Sequence, residues 1–288
     1  MSVSPPPVPT LGLLLVALCL PLALAAANPP PGEPTNAKEA AAQQASQNAL
    51  TPEQQEAFKL LVSSLTPDEQ AWEKTLSENL GGFYFPIHQK DRLAGKVTAW
   101  NYVKDDPALP RMLIIGDSIS RGYTLAVRAA LAQQVNVHRA PANCGPSATG
   151  LTKLDIWLGD GKWDIITFNF GIHDRATPPE VYRSNLVTLL GRLRATGAKL
   201  YWVRTTPAPE GPNKENFTAA QWEVVNKVAD QLMQSEKIPV IDINAPLLPQ
   251  IAEYQLPNNV HFNGKGSEVM AAEIACVVSA DLTAPATR

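Results

Sequence analysis

A serine stands where an apolar run stops, in "LIIGDSISRGYT" (residues 113–124). The run Met112–Ile115 has the make-up of a strand, Gly116 ends it, and helix-compatible residues resume at about Tyr123. A strand, a tight glycine turn and a helix start lift one side chain to the carboxyl edge of a sheet. A serine hydroxyl is a poor nucleophile at neutral pH and needs activating partners. The same residues also read as a helix cap, with Asp117 and Ser118 accepting from backbone amides. Three further stretches hold matching chemistry. "ANCGPSATG" (Ala142–Gly150) carries Asn143 and Gly145, and a glycine lets a backbone amide approach a reacting oxygen without steric interference. "FNFGIHDR" (Phe168–Arg175) carries Gly171, His173 and Asp174, and "PNNVHFNGKGSEVMA" (Pro257–Ala271) carries Asn258, Asn259 and His261. Two of the chain's four histidines therefore lie in these stretches.

Such residues act together only if the fold gathers them. From Arg111 on, short apolar runs alternate with amphipathic segments. Strands are expected at Met112–Ile115, Val135–His138, Asp164–Asn169, Lys199–Arg204 and Val240–Ile243. Helices are expected at Tyr123–Ala132, Pro179–Thr196, Ala219–Ser235 and Gly264–Ala280. In the second of these expected helices, Val181, Leu186, Leu189, Leu190 and Leu193 recur at helical spacing and the pattern stops at Gly197. This alternation predicts an α/β fold, a three-layer α/β/α arrangement with a parallel five-stranded, flavodoxin-like sheet. Ligands of such sheets bind beyond the strands' carboxyl ends, where all four stretches fall. Upstream, Thr51-Pro52-Glu53-Gln54 and Thr66-Pro67-Asp68-Glu69 announce two short helices, each with a Thr cap and Pro at the first helical position. The aromatic stretch "GGFYFP" (Gly81–Pro86), with Trp100 and Tyr102, is expected to pack this extension against the main domain.

Taken together, the four stretches resemble the SGNH/GDSL hydrolase family. "GDSIS" looks like its first block, "NCGPSATG" like its second, "GIHD" like its third and "NNVHF" like its last. The order and rough spacing agree, and the resemblance covers about Arg111–Ala280. The lead-in "WEKTLSENLGGFYFP" through "ALPR" is similar to an exported bacterial subset of that family. The resemblance implies Ser118 as nucleophile and His261 as the base that takes its proton and returns it to the leaving alcohol. It implies an oxyanion hole from the amides of Ser118 and Gly145 and a side-chain donor at His173, with Asp117, Asn143, Gly171 and Asp174 in supporting places.

Two positions depart from the family pattern. His173 replaces the usual asparagine, and an imidazole can still donate one hydrogen bond. Asn258 replaces the aspartate three residues before the histidine. An amide can orient an imidazole but cannot stabilise its charged form as a carboxylate does. Asn258 or backbone carbonyls are expected to orient His261, with Asp174 and Asp242 as alternative acids by topology. His173 as base, with His261 structural, is the competing assignment, and loss of catalysis is a third outcome.

Composition narrows the classes. The 288 residues carry 24 Lys+Arg against 27 Asp+Glu, and no basic cluster interleaved with aromatics points to nucleic acid. No CxxC or closely spaced histidine pair calls for a metal, and no cofactor is expected. The apolar run Leu11–Ala27, broken by Pro21 and ending in small residues, reads as an export signal over residues 1–27 despite lacking a preceding Lys or Arg. A membrane anchor is the rival, but the run is short. Residues 28–50 read as a Pro/Ala/Gln-rich tether, 51–110 as the helical and aromatic extension, and 111–288 as the hydrolase domain. Cys144 and Cys276 would remain after processing, with nothing in their spacing requiring a disulfide. The expected function is an exported serine esterase acting on a small acyl ester, acetyl on a carbohydrate first, with no stable membrane insertion. A lipid or thioester acyl hydrolase and a silent glycan-binding protein are the alternatives. A phosphate-binding flavodoxin-like domain is disfavoured, because "GDSIS" lacks a phosphate loop's spaced glycines.

Overall fold

The computed structural model describes Met1, residues 48–207 and residues 218–283. The expected export signal, nearly all of the tether and most of the loop Thr205–Ala220 lie outside the described residues.

Among the described residues, the helices α1 (Pro52–Ser63), α2 (Pro67–Asn79) and α3 (Gly81–Leu93) precede the first strand. Thr51 and Thr66 each close a reciprocal capping box, with Gln54 and Glu69 answering their backbone amides, so the two helix starts read from sequence are formed by the residues that announced them. The aromatic stretch is itself helical, with Pro86 inside α3. Its Tyr84 and Phe85 pack against a small cluster of Leu76, Leu80 and Trp100.

The sheet follows. Strands β1 (Arg111–Ile115), β2 (Asn136–Arg139), β3 (Ile165–Phe168), β4 (Lys199–Val203) and β5 (Val240–Ile241) are all parallel, in the order β2-β1-β3-β4-β5. This is the doubly wound order of flavodoxin-like sheets. Met112 and Ile114 of β1 join one core, Leu113 and Ile115 the other, as the two-residue period of a strand buried on both faces requires. Helices α4 (Ser118–Ala130) and α8 (Gly264–Thr283) cover the first face, and α5 (Ser147–Leu158), α6 (Pro179–Arg194) and α7 (Ala219–Ser235) the second.

Three differences from the sequence expectation matter for the site. Helix α4 starts at Ser118, five residues earlier than expected, so the serine heads the helix. The stretch Ala142–Gly150 is not all loop, because α5 begins at Ser147. Gly150 lies inside α5 and is needed for packing: a Cβ there would come within 3.0 Å of Leu189 and 3.1 Å of Phe170. Strand β5 ends at Ile241, and the Asp242 side chain accepts from the Asn244 amide at 3.1 Å, which opens a single helical turn.

The segment between α3 and β1 covers the outer edge of β2, which would otherwise be an open pairing edge. Asn136 accepts from the Asp106 amide at 2.9 Å and donates to the carbonyls of Asp106 and Leu109. Arg128 of α4 reaches the carbonyls of Val137, Thr98 and Ala99.

Candidate active site

The turn after β1 is held from three sides. Asp117 accepts from the Ile119 amide at 2.9 Å, so the capping role belongs to Asp117 and leaves the Ser118 hydroxyl free for other work. Gly116 sits so close to the helix that a Cβ would meet Ser120 Oγ at 2.8 Å. Beneath it the buried Arg139 donates to the carbonyls of Gly116 at 3.1 Å and Asp117 at 2.9 Å, and to Ser120 Oγ at 2.5 Å. The turn is thereby fastened to the end of β2.

His261 arrives from 143 residues away, and its Nε2 lies 2.7 Å from Ser118 Oγ. Helices α4 and α8 pack side by side on one face of the sheet, bringing the head of one beside the residues preceding the other. The approach to α8 is itself pinned. Leu256 donates to the His261 carbonyl at 2.9 Å, and Asn263 donates through its backbone to Tyr254 at 2.9 Å and caps α8 by accepting from Gly266 at 3.0 Å.

The orienting residue differs from the expectation. The expectation named Asn258, and the partner found at Nδ1 is its neighbour, Asn259. Asn259 Oδ1 lies 2.6 Å from Nδ1 and also accepts from the His261 backbone amide at 3.1 Å. Asn258 adopts φ 54°, a left-handed turn conformation that asparagine tolerates, and the chain reversal lets the next side chain fold back over the ring. An amide oxygen only accepts, so Nδ1 carries the proton and Nε2 of the neutral ring faces Ser118 as an acceptor. Burial holds His261 below its ordinary pKa; the Asp117 charge opposes this, and Arg121 and His173 reinforce it. The neutral, proton-accepting form therefore prevails at neutral pH.

Neither alternative acid reaches the ring. Asp174 is buried and spends its carboxylate on α5, accepting from Ser147 N at 2.8 Å and Ser147 Oγ at 2.6 Å. Asp242 pairs with Arg204 at 2.7 Å. The Asp174 contact supplies the N-terminal cap that Pro146, at the cap position of α5, cannot.

The remaining stretches converge on the same edge. Cys144 donates to the Gly116 carbonyl at 3.2 Å, which lays the Gly145 segment alongside the serine turn. Gly145 has φ 66°, and no atom outside its immediate neighbours comes closer than 3.8 Å to a would-be Cβ, so conformation rather than space calls for glycine there. The amide of Ser118 heads α4, where helix N–H groups have no intrahelical partner. Asn143 is half-buried with its Oδ1 unpartnered in the structure. His173, exposed on the short turn Ile172–Asp174, lies near enough for its charge to act on His261. Gly171 permits a close pass, since a Cβ would fall 1.9 Å from Thr205 Oγ1.

Ser118 and His261 open into a cavity of about 370 Å³. Its walls include Phe83, Tyr84 and Ile87 from α3, Arg121 one turn beyond the serine, and Leu256 and Phe262 beside the histidine. Tyr84 and Arg121 were not among the site residues read from sequence. The signals were there, an aromatic run and a basic residue three places after the serine, but nothing local says that α3 folds over α4. Burial raises the Tyr84 hydroxyl's pKa, with the Arg121 charge and the Ser118 hydroxyl pulling the other way. Cys144 and Cys276 are both free thiols, the first buried and the second exposed. Among the described residues no group of three His, Cys, Asp or Glu side chains is arranged to hold a metal ion.

Comparison with known proteins places these features. Residues 114–269 match the GDSL-like Lipase/Acylhydrolase family. No curated protein sequence matches the chain. Among solved structures, a lipase/acylhydrolase from Enterococcus faecalis is similar, with a TM-score of 0.54 and 21% identity over 60% of this chain and 96% of that one. An acetyl xylan esterase matches with a TM-score of 0.52 and 15% identity, covering 58% of this chain and 99% of its own. Another, from Geobacillus stearothermophilus, matches with a TM-score of 0.50 and 13% identity, covering 62% and 96%. At these identities the likeness is one of fold.

Proposed function

Since the chain belongs to the GDSL-like lipase/acylhydrolase family, we propose that it is an exported serine esterase cleaving a small acyl ester, acetyl in the first instance, from a carbohydrate. The observation that carries this reading is the 2.7 Å contact between His261 Nε2 and Ser118 Oγ, with Nδ1 already committed to Asn259. His261 takes the hydroxyl proton as Oγ attacks the ester carbonyl. The amides of Ser118 and Gly145, with His173, receive the developing oxyanion, each such donor being worth about 10²–10³ in rate. The bond from the carbonyl carbon to the alcohol oxygen breaks, and the alcohol leaves with the proton from His261. Water then attacks the acyl-serine, giving its proton to the same nitrogen, and the carboxylic acid departs as Oγ is reprotonated. Asn259 orients the ring without stabilising its charge, and in serine proteases losing the corresponding carboxylate costs about 10⁴ in kcat. Slow turnover is expected.

The choice of acetyl and of a carbohydrate is supported by the shared fold with acetyl xylan esterases and by the export signal expected over residues 1–27. A second reading is favoured by the apolar walls at Phe83, Ile87, Leu256, Phe262 and Met270, which suit a longer acyl chain. A fluorophosphonate probe followed by peptide mass mapping tests the nucleophile: the adduct is expected on Ser118 and to vanish in Ser118→Ala. No adduct under conditions that label a control esterase, or an adduct elsewhere, would overturn the assignment. A series of para-nitrophenyl acyl esters separates the two substrate readings, with kcat/KM falling from acetyl to octanoyl under the first and rising under the second.

A further inference from the structure

Arg121 stands three residues after Ser118 on α4, so the two side chains share one helix face, with Cβ atoms about 5–6 Å apart. Both line the same cavity. The Arg121 guanidinium lies over the ring of Tyr84 at 5.5 Å and that of Trp100 at 5.8 Å. A cation set against aromatic rings in this way spends none of its N–H donors on them. None of those donors has a partner among the described residues, and Nε is buried as well as unpartnered. Among the described residues every other arginine except the exposed Arg183 makes a hydrogen bond or an ion pair. The Arg121 Nη groups, equally without a partner, are not buried, and these are the donors that a ligand in the cavity would meet.

The charges around the serine are unbalanced in the same direction. Arg139 lies below the turn with no carboxylate paired to it, its donors going to Gly116, Asp117 and Ser120. Asp117, the acid whose charge acts on His261 among the described residues, is engaged in capping α4. The N-terminus of α4 adds its own partial positive charge. A molecule of net charge −3 thus presents a locally positive cleft around its candidate nucleophile.

We infer that Arg121 is the specificity-determining residue of this site, and that the ester it serves carries a carboxylate beside the scissile bond. The inference rests on the esterase reading. A guanidinium edge matches a carboxylate bidentately, and this one is set against two aromatic rings at the wall of the cavity. The carboxylate can sit on the alcohol portion, as in an acetylated uronic acid, or on the acyl portion, as in a hemisuccinate.

Two matched substrate pairs distinguish these sources: acetylated methyl glucuronoside against acetylated methyl glucoside, and para-nitrophenyl hemisuccinate against para-nitrophenyl butyrate. The readout is the ratio of kcat/KM, anionic over neutral, which cancels any general loss in a variant. In the wild type one pair is expected to give a ratio well above one. Arg121→Gln is expected to lower that ratio roughly tenfold or more, the scale of a charge-assisted pair of hydrogen bonds. Arg121→Lys, which keeps the charge but not the fork, falls between. Ratios at or below one for both pairs in the wild type, or a ratio unmoved in Arg121→Gln, overturn the inference. Should the wild type cleave none of the four, the esterase reading fails separately, and calorimetric titration with methyl glucuronoside decides: tighter binding to wild type than to Arg121→Gln keeps the anion site, and equal or absent binding removes it.

Discussion

At the scale of single residues, the imidazole of His261 is set up as a base but poorly supported once charged. Burial lowers its pKa below the ordinary value of about 6.5 and only a neutral amide faces Nδ1. The active form is the neutral ring, so kcat/KM is expected to hold through neutral pH and to fall as pH drops through a value below that ordinary one. Asn259→Asp places a carboxylate against Nδ1 and stabilises the imidazolium. It is expected to raise kcat by about tenfold and to move the acid limb of the kcat/KM profile to higher pH. A pH–rate profile of both proteins checks this, and an unmoved limb with unchanged kcat would remove Asn259 from its orienting role. The neighbouring Asn258 could not be told from Asn259 in the sequence, since both are neutral amides and only the turn geometry separates them.

Among the elements, α5 depends on a distant residue for the cap of its first turn. Its first turn is capped by Asp174 from the turn after β3, and Ser147 Oγ also accepts from Asn185 of α6 at 3.0 Å. Burial raises the Asp174 pKa, while the Ser147 hydrogen bonds work against that shift. Asp174→Ala is expected to cost about 2–4 kcal/mol in unfolding free energy, for two charge-assisted hydrogen bonds lost from a buried position. It is also expected to lower kcat, because Gly145 stands two residues before the freed helix start. Asp174→Asn keeps part of the acceptor capacity and should recover part of both losses. Denaturant unfolding and initial rates measure the two effects. If stability falls and kcat does not, Asp174 serves α5 alone. The helix was missed in sequence because its cap is remote and its beginning holds Pro146 and Gly150, whereas α1 and α2 were legible because their caps are local.

Over the whole molecule, the helices before β1 are joined to the serine turn through Trp100. That side chain is 1% exposed, packs with Leu76 and Leu80, and lies beneath the guanidinium groups of both Arg121 and Arg139. The extension thus backs the arginine that fastens the turn and the arginine that lines the cavity. Trp100→Ala is expected to destabilise the protein by about 3–5 kcal/mol. Its effect on kcat/KM should persist at temperatures well below unfolding, because the loss reaches Ser118 through Arg139. Urea unfolding followed by activity measurement under folded conditions separates the two. Full kcat/KM in folded Trp100→Ala would show the extension to be a cover and not a support.

What sequence alone determined is what local chemistry decides. Five apolar runs and their alternation with amphipathic segments specify a parallel sheet, because strands buried on both faces leave no other pattern. The order of the four stretches then places Ser118, Gly145, His173 and His261 at one edge. Only the tertiary structure decided which asparagine meets the imidazole, which acids are already spoken for, and that α3 walls the cavity with Tyr84 over Arg121. Those outcomes depend on how helices from opposite ends of the chain pack. Propensity, caps and periodicity act over a few residues, while the Ser118–His261 contact spans 143.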